Sequence, residues 1–132
     1  MIYLDGQVRQ VTNFNQDEYW VEMEELSWSP DGKKIALLMF RMDDTSYKEN
    51  YPDVHVAGRL VLLDLLARTV TDTCVPGDSR PVWSSDGQFI TVTNIYKMSS
   101  PTKGHMYMVD LQNKVSTIVM DNYIAEAWIE EK

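Results

Sequence analysis

The side chains best suited to chemistry in this 132-residue chain are carboxylates and aromatic rings gathered in one polar stretch. Residues 41–58, RMDDTSYKENYPDVHVAG, carry Asp43, Asp44, Tyr47, Tyr51 and His55, with Arg41 and Lys48 interspersed. Just upstream, residues 13–25 add Tyr19 and Trp20 together with Asp17, Glu18, Glu22, Glu24 and Glu25. Aromatic faces beside carboxylates suit a cationic or amphipathic partner (protein, peptide or small ligand) held by stacking and charge. The same composition also describes a solvated loop whose rings fold back onto neighbouring strands. Asp43 and Asp44 lack the alternating oxygen ligands of a calcium loop.

The other candidates point away from catalysis. His55, His105 and Cys74 are the only histidines and cysteine, and they show neither H-x-x-x-H nor C-x-x-C spacing, so no metal site is expected. There is no Gly-rich phosphate loop and no G-x-S-x-G elbow; no cofactor is expected and no catalytic residue is assigned. Asp31 and Asp86 could be read as an acid/base pair. Each is followed by a glycine, Gly32 or Gly87, and an Asp-Gly turn uses the carboxylate to cap backbone amides. Trp28, Trp83 and Trp128 could form an aromatic cage, but large rings dominate the energetics of cores, and each is read as packing between neighbouring sheets.

Composition narrows the partners. The formal net charge of −8, from 20 Asp plus Glu against 12 Lys plus Arg, argues against nucleic acid and anionic membrane, which select clustered cations. A hydrophobic content of 44% fits a globular chain. The opening MIYLDGQVRQVTNF has no basic region, long apolar stretch or small-residue cleavage site. The apolar runs at 35–40 and 60–66 fall far short of the roughly 20 residues of a membrane helix. With Cys74 alone, no intramolecular disulfide can form. A cytoplasmic protein is the expectation, unless the chain is a fragment of a longer exported one.

The elements that position these residues emerge from internal repetition. LSWSPDGKKIALLMF at 26–40 aligns without a gap to PVWSSDGQFITVTNI at 81–95. Asp-Gly between apolar runs predicts strand, tight turn, strand, because glycine supplies positive φ without strain. A second landmark, an apolar run closed by Asp, occurs at 2–5 (IYLD), 61–64 (VLLD) and 107–110 (YMVD). Each is followed by a short turn and a β-rich run, so each unit is a further hairpin. The Trp landmark returns at Trp128 in AEAWIEEK. The landmarks recur every 45 to 59 residues, and the extra length of the first full repeat falls in 41–58, where an insertion costs little. All six glycines are expected in turns or loops. Trp20, Met23 and Leu26 also fit one helical turn, although an extended approach to the Trp strand is preferred.

SWSPDGKKIALL and VWSSDGQFITVT resemble the TolB-type, WD40-like β-propeller repeat. The resemblance implies an all-β propeller with the Trp strand innermost in each four-stranded blade. The organisation it implies is a split blade contributing two outer strands from 1–12, full blades at 22–75 and 80–120, and an innermost-type strand at 123–132. Two and a half blades cannot close a ring. Either two copies form a six-bladed homodimer, or the chain is part of a longer protein. Loops preceding and following the first strand pair would share one face, bringing 13–25 beside 41–58. The resemblance implies no activity. Three readings follow: a non-enzymatic interaction module, the propeller portion of a hydrolase or a site at a dimer axis, and a purely structural assembly unit.

Overall fold

Two turns of nearly identical chemistry organise the chain. In the first, Ser29 Oγ donates to Asp31 Oδ1 at 2.7 Å and accepts from the Lys34 amide at 2.9 Å, while Asp31 Oδ1 accepts from the Lys33 amide at 3.0 Å. In the second, Ser84 Oγ donates to Asp86 Oδ1 at 2.7 Å and accepts from the Phe89 amide at 2.9 Å, with Asp86 Oδ1 accepting from Gln88 N at 2.9 Å. Gly32 and Gly87 follow with φ of 69° and 70°, a region where a Cβ would meet its own carbonyl. Each turn therefore forces the chain back on itself and starts an antiparallel pair.

The computed structural model describes residues 19–41, 58–97 and 103–121, apart from the side chains of 19–25, 41, 96, 97 and 103. Eight strands lie in this part. β1 (Tyr19–Trp28), β2 (Lys34–Arg41), β3 (Gly58–Asp64) and β4 (Thr69–Gly77) form one sheet in chain order. β5 (Val82–Trp83), β6 (Phe89–Lys97), β7 (Lys103–Asp110) and β8 (Val115–Asp121) form the second, also in chain order. Every pairing is antiparallel. The segment around Trp20 is extended, with a register shift between Val21 and Leu26, so the strand reading prevails over the helical turn. The β3–β4 and β7–β8 hairpins close on another shared device. Asp64 Oδ1 accepts from the Leu66 and Ala67 amides, and Asp110 Oδ1 from those of Gln112 and Asn113.

Alternation along the strands decides which side of each sheet is buried. Ala36, Leu38, Phe40, Leu60 and Val75 of the first sheet meet Trp83, Ile90, Val92 and Val109 of the second in one core. On the side turned away from that core, Leu37, Val61 and Leu63 are also buried, with Leu26, Ile35 and Met39 packed against them. Both faces of the first sheet are therefore apolar, as a stacked sheet requires.

Three glycines depart from the turn expectation. Gly58 opens β3, Gly77 closes β4 and Gly104 lies inside β7. The reason is close approach: a Cβ on Gly77 would collide with the Val92 side chain of the other sheet, and one on Gly104 would sit 2.8 Å from the Asn94 carbonyl oxygen. The tryptophans also divide. Trp83 is 9% exposed and packs between the sheets, whereas Trp28 is 48% exposed, which corrects the expectation that both are covered. Trp28 follows Ser27 in β1 and so projects from the opposite side, away from the second sheet. Trp128 lies outside the described residues. Cys74 is exposed at φ 58° beside a register shift in β4, its amide donating to Asp72 Oδ1 at 2.7 Å.

Candidate functional site

Strand direction gathers one set of loops at one end of both sheets. Tyr19 pairs with Arg41 and Trp20 with Phe40, at the end of β2 from which residues 42–57 depart and to which the chain returns at Gly58. Gly58 pairs in turn with Gly77, where the chain leaves for the second sheet. There the matching end holds the β6–β7 connection and the close of β8, with Lys97 opposite Lys103 and His105 opposite Asp121. Tyr19 and Trp20 are thus placed by backbone register at the root of the acidic and aromatic insertion. Asp43, Asp44, Tyr47, Tyr51 and His55 lie outside the described residues.

At this end the second sheet carries a polar row that sequence reading did not single out as a unit. Asn94, His105 and Asp121 stand side by side across β6, β7 and β8. His105 Nδ1 lies 2.5 Å from Asp121 Oδ1 and its ring meets Tyr107 edge-on at 6.3 Å. Asn94 Oδ1 is buried with no hydrogen bond among the described residues. The free edge of β6 is tied to the inter-sheet link: Asp78 N donates to Thr93 O at 2.8 Å, Thr93 N to Ser79 Oγ at 3.0 Å, and Ile95 N to Asp78 Oδ2 at 2.5 Å. This row presents acceptors and one imidazole. The signal that could have revealed it is the strand register, which requires both hairpins to be aligned before His105 and Asp121, 16 residues apart, become neighbours.

Asp31 and Asp86 sit at the opposite end and serve their turns. The Ser29 hydroxyl, then the Lys33 amide, holds the Asp31 carboxyl below its ordinary 3.8; for Asp86 the Gln88 amide leads, followed by the Ser84 hydroxyl. Asp110 is lowered likewise by the amide and then the side chain of Asn113. Carboxylates held ionised and spent on local amides are poor proton donors. A cleft of about 410 Å³ between the outer strands, with Lys34, Asp64, Thr71, Asp110 and Lys114 on its walls, also lies toward this turn end. It does not coincide with the aromatic and acidic loops. Among the described residues, no group of three His, Cys, Asp or Glu side chains is placed to hold a metal ion.

Solved structures place the architecture. TolB from Acinetobacter baumannii superposes with a TM-score of 0.55 at 21% identity, covering 89% of this chain and 25% of that one. Oligogalacturonate lyase from Vibrio parahaemolyticus superposes with a TM-score of 0.62 at 12% identity, covering 91% of this chain and 32% of that one. Both are β-propeller proteins. The fold is that of β-propeller blades. No protein-family model and no curated protein matches the sequence. The two four-stranded sheets fit propeller blades, and the chain spans between a quarter and a third of either propeller. Identities this low carry the fold and no activity.

Proposed function

We propose that this chain is a non-enzymatic β-propeller module that binds a cationic or amphipathic peptide or small ligand on its loop face. The supporting observation is the pairing of Tyr19 with Arg41, which roots two aromatic residues of β1 beside the insertion bearing Asp43, Asp44, Tyr47, Tyr51 and His55. Rings next to carboxylates hold a guanidinium or ammonium group by its flat face and by its charge. A sheet scaffold that positions binding residues on its loops is the usual division of labour.

A panel of short Lys- and Arg-bearing amphipathic peptides, titrated calorimetrically, tests the reading. Binding should weaken with salt, because the carboxylates act through a screened field. Trp20→Ala, Tyr47→Ala and Tyr51→Ala combined should weaken it at least about tenfold while leaving the melting temperature unchanged. A triple variant that binds as well as the parent, or a panel with no binder, overturns the reading.

A further inference from the structure

The two sheets touch along one line and part along another. Trp83 Nε1 donates to the Ser27 carbonyl at 3.2 Å, and the Cβ that Gly77 lacks would strike Val92, so here the sheets are in direct contact. Toward the turns that follow Asp64 and Asp110 they separate around the cleft of about 410 Å³. Every residue on its walls is described, and the walls belong to the two described sheets and their turns. The volume is that of a small-molecule site, for which about 300–1,000 Å³ is usual.

Register explains what each wall presents. Lys34, Asp64 and Thr69 are neighbours across β2, β3 and β4, and Ala36, Leu62 and Thr71 form a parallel row. Both rows lie on the side that holds Ala36, Leu38 and Leu60 against the second sheet. On the facing wall Val109 pairs with Ser116 across β7 and β8. Leu62, Val75, Val109 and Leu111 make an apolar floor, since all four belong to the shared core or pack against it.

The carboxylates on these walls are already engaged. Asp64 Oδ1 accepts from two amides, and Asp110 uses both oxygens within its own turn. Asp72 accepts from the Cys74 amide at 2.7 Å and from Arg59 Nη1 at 3.0 Å. The ammonium groups of Lys34 and Lys114, one from each sheet, have no ion-pair or hydrogen-bond partner among the described residues. Lys34 stays unpaired even though Asp64 is its cross-strand neighbour. The uncommitted charges of the cleft are therefore cations above an apolar floor, and partial removal from water strengthens their attraction for an anion.

We propose that this cleft binds a small amphipathic carboxylate, its aryl or branched alkyl body on the floor and its head group between Lys34 and Lys114. Among the described residues no aromatic side chain lines the cleft, so a sugar would find no ring to stack on. The site lies away from the loop face and stands without that reading.

Amide chemical shifts of the isotope-labelled full chain, titrated with hydrocinnamate, test it. Shifts should be confined to the cleft walls, Thr71 and Ser116 among them. Hydrocinnamyl alcohol, which keeps the body and loses the charge, should bind about tenfold more weakly. Lys34→Gln combined with Lys114→Gln should reduce the carboxylate to the alcohol's affinity with the melting temperature unchanged. Ser116→Trp, which fills the cleft from its exposed rim, should block both probes. The variant lacking Trp20, Tyr47 and Tyr51 should bind hydrocinnamate as the parent does. Equal affinity for the two probes overturns the proposal, as does a double Gln variant that keeps the preference. Shifts that map to the loop end, or a titration without shifts, overturn it equally.

Discussion

Ser84 and Asp86 divide the labour of one turn: the hydroxyl reaches across to the Phe89 amide while the carboxylate holds the Gln88 amide and the hydroxyl together. Ser29 and Asp31 repeat the arrangement, although Pro30 stands where the second turn has Ser85. Neither of those positions contributes to the network, which explains why the second turn keeps its form without the proline. Three carboxyls, those of Asp31, Asp86 and Asp110, are lowered by hydrogen bonds that exist only in the folded chain. Each contributes stability that is fully present above the ordinary 3.8 and is lost as pH falls through the lowered folded value. Urea midpoints measured from about pH 7 down to about pH 3 should therefore decline steeply below about pH 4. Replacing all three with Asn keeps an acceptor oxygen but removes the titration, so the decline should become shallower. An unchanged acid slope would show that other carboxylates dominate.

At the level of elements, hairpins were legible because their determinants are local. Trp-Ser-x-Asp-Gly and the apolar run closed by Asp each carry their own turn chemistry within a few residues. What sequence could not reveal depends on the surface opposite. Gly77 reads as a turn residue until Val92 of the other sheet is placed against it, and Trp28 reads as buried although it is 48% exposed. For the candidate site, the propeller resemblance implied that 13–25 and 41–58 share one face, and the register pairs Tyr19 with Arg41; the Asn94–His105–Asp121 row needed the register of three strands. The outer hairpins also contain strain that a local change relieves. Arg68 and Lys114 occupy equivalent turn positions at φ 58° and 56° and are exposed. A left-handed residue costs about 1–2 kcal/mol, partly offset by the entropy glycine loses on folding. Arg68→Gly and Lys114→Gly should each raise stability by roughly 0.5 kcal/mol in chemical denaturation. A loss of stability would mean that the long side chains pack usefully against the rim.

At the scale of the whole molecule, the two described sheets share the larger of two buried clusters, which couples their stabilities. Leu38 is fully buried in that core, and its methyl group would lie 3.1 Å from a Cβ on Gly77. Leu38→Ala should cost about 2–5 kcal/mol. Because the cavity opens where both sheets meet, hydrogen exchange of β2 and β6 should accelerate together; faster exchange in β2 alone would show two independent units. The strict chain order of the strands has a further consequence, for synthesis. Within each sheet every strand pairs with the one before it, so pairing is local in sequence, the longest connection being residues 42–57. The first sheet is complete once Gly77 has emerged from a ribosome, before any of β6 exists to cover Ala36 and Leu38. During that interval a nascent chain exposes a finished but half-naked sheet. The contact between Trp83 and Ser27 is then a late event, the point at which a vulnerable translation intermediate becomes sheltered.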